Sequence, residues 1–361
     1  MRRNTSAAGQ FELQALRELT ERVGANPLLT QASTGNTSIK IDGILWIKAS
    51  GKWMADAMQD DIVIPVGLSD VNECLQWGVD PAERYPSASL ETAMHAVIPQ
   101  RVVVHVHCVD TIAWAVRSDA PMLLQERLQD LAWHWIPYVA SGLPLSQEIR
   151  RALAETNAGV FVLGNHGLVI AAESCEAAAS LLAEVQRRLA IRPRQAHPAD
   201  YTMLAELSED SLWDLPDDDA IHALGTDTIS QAALSRGLLY PCQAIFSKSS
   251  TPALFHSVAC PDSRSQWDAG YRDRPFVIIE GRGVLVNKSM TSAERAMIGG
   301  LAQVVQRIPP SAPLRYLTES EIADSSNAIA YRYRELANER LGSRASVGAL
   351  SGRASGESLA S

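Results

Sequence analysis

The chain has 361 residues, enough for one large domain or two ordinary ones, and 46% of them are hydrophobic, so a sizeable core can form. Lysine plus arginine number 32 against 41 aspartate plus glutamate, a net charge of −9 with no basic cluster, which argues against nucleic acid as the main partner. No run approaches the roughly 20 apolar residues of a membrane span. The five cysteines include no Cys-x-x-Cys pair, so the expectation is reduced thiols in a cytoplasmic protein rather than a disulfide framework or zinc ribbon.

The first ten residues, MRRNTSAAGQ, carry two arginines but no apolar segment follows, which does not fit a secretory signal. Residues 10–25 place leucines and Val23 at helical spacing and read as an amphipathic helix. In residues 33–48, SIKI and ILWIKA flank Asp42-Gly43, the signal of a tight hairpin. Residues 89–98 read as a helix, 102–107 as a buried β-branched strand, and 120–135 as a helix dense in Leu and Trp. A helix over 147–156, a strand pair at 160–164 and 168–171, and a helix from Glu173 to Leu189 follow.

Residues 191–225 carry Pro193, Pro198, Pro216 and the acidic run Asp217–Asp219, a solvated loop by composition. This divides the chain into a main domain over 1–190, a linker over 191–225 and a smaller C-terminal α/β part over 226–341. That part shows strand-like QAIFSK and FVIIEGRGVLV, then helices from Ser292 to Ile308 and from Glu319 to about Leu341. Residues 342–361 are rich in Ser, Gly and Ala and read as disordered. FVLGNHGLVIAAESC and FVIIEGRGVLVNKSM share the order strand, Gly turn, strand, helix, a faint repeat in which Arg282 stands near the place of His166.

The chemistry concentrates in VVVHVHC and NHGLV. Side chains alternate along a strand, so His105 and His107 point to one face, while Cys108 turns to the other. Two imidazoles on one rigid face make half of a tetrahedral metal site, and His166, before a turn glycine, can supply a third nitrogen. Three nitrogens with an open position describe a catalytic metal site better than a structural one.

The motifs TGNTSIKIDGILWIKASG, PSASLETAMH, VVVHVH and NHGLV, in that order, resemble the class II aldolase/adducin family over roughly residues 12–190. The resemblance implies an α/β fold with a central, mostly antiparallel sheet flanked by helices. It also implies a homo-oligomer, such as a tetramer. In fuculose- and rhamnulose-phosphate aldolases one zinc sits on three histidines, and His105, His107 and His166 match those positions. The activity so implied is cleavage of a ketose 1-phosphate, or a related hydroxy-carbonyl compound, through an enediolate that the metal stabilises as a Lewis acid. Another divalent metal can replace zinc.

Glu91 matches the family's catalytic carboxylate, which acts as acid or base on the substrate. Gly35 and Asn36 match its Gly-Asn turn, and Ser50 and Gly51 its second anion loop, where glycines let backbone N–H groups approach a phosphate. The chain departs from the family between Pro86 and Glu91, five steps instead of three. Ser87 is taken for the serine of that loop, with Ser89 the other candidate. The same metal site also serves epimerases, dehydratases and decarboxylases among the family's relatives, and adducin keeps the fold without the chemistry as a binding scaffold.

Overall fold

The computed structural model describes residues 6–246, 257–258, 271, 274–325 and 328–338. The tail from 342, expected to be disordered, lies outside them. The major element is a seven-stranded sheet of order β3-β2-β1-β4-β7-β6-β5. Its strands are β1 Asn36–Ile41, β2 Ile44–Lys48, β3 Val63–Gly67, β4 Val102–Val106, β5 Trp133–Ile136, β6 Val160–Leu163 and β7 Gly167–Ala172. Neighbours run antiparallel except β5 and β6, which are parallel. This is the mixed, mostly antiparallel α/β sheet the sequence led one to expect. Among the described residues no helix is long and apolar enough to cross a membrane.

Local chemistry accounts for the frame. Asp42 and Gly43 both take positive φ, 50° and 74°, as a two-residue β1–β2 turn requires. β4 is buried along its whole length, between β1 and β7. Val102, Val104 and Val106 enter one core layer and Val103 the other. Each such side chain contributes about 1.5–3 kcal/mol when removed from water. The helix Cys175–Leu189, capped by Ser174, lays Ala178, Leu182, Val185 and Leu189 on the first layer. These positions recur at helical spacing on one face.

Two local expectations are corrected. Residues 120–135 are a helix only over Ala120–Leu128; Trp133–Ile136 form β5, an edge strand whose backbone finds its partners in β6. QAIFSK is not a strand. Pro241 opens a helix, Pro241–Phe246, and the last two residues of that segment lie outside the described ones. The last expected helix is seen over Glu319–Ser325 and Ala328–Asn338, with 326–327 outside the described residues.

The 191–225 stretch is folded rather than loose. It holds a helix at Tyr201–Ser208 and the strand β8, Trp213–Asp214, with Trp213 fully buried. The acidic run is exposed, as its composition suggested. β8 borders a second sheet of order β8-β11-β10-β9, where β9 is Ser257–Val258, β10 Phe276–Ile279 and β11 Gly283–Asn287.

The second sheet repeats half of the first. β11 pairs antiparallel with β8 and β10, and β10 pairs parallel with β9. β7 pairs antiparallel with β4 and β6, and β6 pairs parallel with β5. Both hairpins close Leu163 on Gly167 or Ile279 on Gly283, with positive φ at Asn165 (51°) and Gly281 (68°). A capped helix follows each, Cys175–Leu189 or Ser292–Val305. The helix Val109–Ala115 packs between the two halves: Trp114 and Ala115 join the first core, Val109, Ile112 and Ala113 the second.

Candidate metal centre and cleft

His105 is the fourth residue of β4 and His107 stands just past its end, on the same face as Val103. His166 arrives on the β6–β7 turn. Gly167 makes that approach possible: a Cβ there would meet the Val106 carbonyl oxygen at 2.6 Å. Gly35 does the same from the other side, with φ of +70° and a notional Cβ 2.6 Å from the His105 carbonyl oxygen. The three ring centroids are 4.9, 5.0 and 5.1 Å apart, and the Nε2 atoms of His105 and His107 are separated by 3.2 Å. Tetrahedral zinc with bonds of 2.0–2.1 Å spaces its nitrogens by roughly 3.3 Å. The donor set therefore suits such an ion, and all three residues are buried.

Glu91 precedes the helix Thr92–Val97 and is buried above the imidazoles. Its Oε2 lies 3.4 Å from His105 Nε2 and its Oε1 3.4 Å from His166 Nε2. Asn36, across the ladder from His105, donates through Nδ2 to Glu91 Oε2 at 2.7 Å and to Ser89 Oγ at 2.9 Å. Burial alone would raise the Glu91 carboxyl; the facing imidazoles and the Asn36 amide reverse this and hold it at about 2. Burial also lowers His107 well below its ordinary value and His166 to about 4, so both rings are neutral near pH 7, the state a metal ligand needs. The His105 tautomer follows from chemistry. Its Nδ1 is 3.0 Å from the Leu168 carbonyl, which only accepts, so Nδ1 carries the hydrogen and Nε2 keeps its lone pair.

These groups face a cleft enclosing about 600 Å³. Of the expected anion-loop residues, Gly35, Asn36 and Ser50 line it. Gly51 does not; it is packed beneath Leu336, whose Cβ sits 2.3 Å from where a Gly51 Cβ would be. Ser87 is a correction. It is exposed, its carbonyl bonded to Ser50 N at 3.0 Å, and the bridge between Ala49 and Ala88 turns the next serine inward. Ser89, buried and lining the cleft, takes the place expected for Ser87.

Among the lining residues that sequence reading missed are four that carry polar groups to the site: Lys48, Ser141, Cys242 and Tyr333. Lys48 is fully buried, and Nζ donates to the carbonyls of Ser33 at 2.9 Å and Lys52 at 2.7 Å. Its burial lowers it to about 7, against a small opposing pull from Glu91. Ser141 reaches Glu91 Oε1 at 3.4 Å. Cys242 and Tyr333 come from the C-terminal part; the Tyr333 hydroxyl receives a bond from Ser33 Oγ at 2.8 Å. Alternation on β2 hinted at Lys48 alone, since the other three lie far along the chain.

Residues 14–192 match the model of the Class II Aldolase and Adducin N-terminal domain. This part of the chain belongs to that family. A curated relative of the aldolase-type region, "Uncharacterized oxidoreductase YuxG" of Bacillus subtilis (strain 168), is 26% identical over 177 residues. The match takes in 43% of this chain and 25% of the relative, so the chain spans about a quarter of that protein's length. Among solved structures, the N-terminal class II aldolase domain of a conserved Thermoplasma acidophilum protein is 19% identical, with 52% of this chain and 95% of that one covered and a TM-score of 0.45. The l-fuculose-1-phosphate aldolase of Thermus thermophilus is 20% identical, with 50% and 91% covered and a TM-score of 0.38. In this class II aldolase domain, His105, His107, His166 and Glu91 occupy one buried cluster, and the C-terminal part of the chain borders the same cleft.

Proposed function

We propose that the protein is a divalent-metal-dependent lyase of the class II aldolase type, with zinc as the metal, that cleaves a ketose 1-phosphate or a related hydroxy-carbonyl compound by retro-aldol reaction. The observation that carries this reading is the convergence of three imidazoles beneath a carboxylate whose two oxygens each lie 3.4 Å from an Nε2. His105, His107 and His166 would hold the metal. When bound there, it supplies Lewis-acid stabilisation of the negative charge that C–C cleavage leaves beside a carbonyl.

The chain's own groups do the rest. Asn36 fixes Glu91 Oε2 at 2.7 Å, while Oε1 has only the longer contacts of 3.4 Å to Ser141 Oγ and His166 Nε2, so Oε1 is the oxygen freer to take the substrate hydroxyl proton and return it. Gly35, Asn36, Ser50 and Ser89 form the wall of an anion cradle. In its ammonium form Lys48 spends two of its three donors on carbonyls and has the third for a phosphate oxygen.

Elemental analysis of the purified protein, followed by a panel of ketose 1-phosphates assayed for dihydroxyacetone phosphate, tests the reading. About one zinc per chain with chelator-sensitive release of that product supports it. Metal without C–C cleavage, but with epimerised, dehydrated or decarboxylated product, reassigns the reaction. Absence of metal after purification and after reconstitution overturns the site and favours an adducin-like binding protein.

A further inference from the structure

We propose that Cys242 is the outer partner that holds His107 in its metal-binding orientation, so that the C-terminal part of the chain sets the metal affinity of the aldolase domain. The inference rests on the metal reading above. Cys242 lies in the helix Pro241–Phe246, and its Sγ is 3.3 Å from His107 Nδ1; both residues are buried. Nδ1 is the ring nitrogen that faces away from the other imidazoles, since Nε2 is the one 3.2 Å from His105 Nε2.

His107 needs such a partner more than His105 does. His105 sits inside β4, with its ring tied to the Leu168 carbonyl, whereas His107 lies beyond the strand end. A metal ligand's second nitrogen ordinarily finds an acceptor that fixes ring and tautomer. With Nε2 committed to a metal, His107 Nδ1 carries the hydrogen and donates it to the sulfur of Cys242.

The segment before Cys242 also grips the turn that bears His166. Asn165 Nδ2 donates to the Leu239 carbonyl and to the Arg315 carbonyl, each at 2.8 Å. Gln243 Oε1 accepts from Leu239 N and Tyr240 N, which fixes the path from 239 to 242. Residues 239–242 thus contact the neighbour of one ligand and the ring of another.

The topology gives this arrangement a rationale. Aligning β8, β11 and β10 with β4, β7 and β6 by their registers puts Leu215, Asp217 and Arg282 where His105, His107 and His166 stand. The second half therefore repeats the metal-bearing half without its ligand set. Its polar contribution is made to the site of the first half.

The test uses the full chain freed of metal and Co²⁺ alone as probe, with the dissociation constant read by chelator competition and the fold checked by thermal unfolding of the metal-free proteins. Cys242→Val, which keeps the bulk and loses the acceptor, is expected to bind Co²⁺ about 10–100-fold more weakly than the wild type. Cys242→Ser, which keeps an acceptor, should stay within a few-fold of it. If Cys242→Val does not fold, Cys242→Ala is read in its place. Wild-type affinity in the Val or Ala variant, or equal weakening in Ser and Val, overturns the role of Cys242. A wild-type chain that binds no Co²⁺ overturns the metal reading itself and this inference with it.

Discussion

The amide of Asn36 joins His95 to Glu91: its Oδ1 receives a bond from His95 Nε2, and its Nδ2 donates to Glu91 Oε2 at 2.7 Å. The chain of bonds has one direction. Burial lowers His95 to about 3, so the ring is neutral, and its Nδ1 faces Ser38 Oγ at 2.7 Å. Nε2 carries the hydrogen because an amide oxygen only accepts, so Nδ1 accepts from the Ser38 hydroxyl. His95 thereby fixes which end of the Asn36 amide faces the carboxylate. His95→Gln, which can still donate to Asn36, should retain more turnover than His95→Phe, in which the Asn36 oxygen loses its buried donor and the amide one of the bonds that hold it against a flip. The flipped amide would set an oxygen against Glu91 Oε2. Comparing kcat and KM for the two variants checks this, and a loss confined to KM in His95→Phe would contradict it.

Glu91 and His107 separate proton transfer from metal retention. Glu91→Gln leaves the three imidazoles in place, so the protein should keep its metal while kcat falls about 10²–10⁴-fold, the usual range for loss of an acid–base group. His107→Ala should lose metal and activity together. Metal content by elemental analysis beside kcat is the measurement. A fully active Glu91→Gln would remove Glu91 from the proton-transfer role.

What the sequence made legible is what depends on local period. The run of valines around His105 announces a buried strand, and alternation alone puts His105 and His107 on one face and Cys108 in the core on the other. Asp42-Gly43 announces its own turn. The rest depends on contacts between distant residues. Cys242 meets His107 across 135 positions, and Tyr333 meets Ser33 across 300, with no periodicity linking them. The choice between Ser87 and Ser89 depended on how a two-residue insertion is absorbed, which the Ala49–Ala88 bridge decides. Trp133–Ile136 and Pro241–Phe246 were misassigned because short apolar runs suit strand and helix alike.

Gly35 and Gly167 are where the backbone itself limits the site. An alanine at position 35 meets both a carbonyl 2.6 Å away and an unfavourable positive φ, and the carbonyl belongs to the ligand His105. Gly35→Ala should destabilise the protein by about 1–3 kcal/mol or more. It should also weaken metal retention, because relief of the clash moves His105. Urea unfolding with metal analysis on the same samples checks both. Gly43→Ala is the control: its φ is also positive, at +74°, but nothing lies within 4 Å of its Cβ, so strain without displacement of a ligand is expected.

Lys48 leads to a pH dependence whose sign can be worked out. Its pKa is lowered from 10.5 to about 7 in the folded protein, first by burial. Between about pH 7 and 10.5 the unfolded chain holds a proton at this position that the native one has released. Stability rises with pH wherever the unfolded state binds more protons, so Lys48 should make the protein more stable as pH climbs through this window and least stable below pH 7. Lys48→Met removes the titrating group. It also strips the Ser33 and Lys52 carbonyls of their donor, a cost that does not vary with pH. The difference in unfolding free energy, wild type minus Lys48→Met, should therefore increase between pH 7 and 10 by up to a few kcal/mol. Taking the difference cancels Lys40, which burial likewise lowers, to about 8. Denaturant unfolding of both proteins at several pH values gives that slope, and a flat difference would mean that the Lys48 ammonium keeps its proton in the folded cleft.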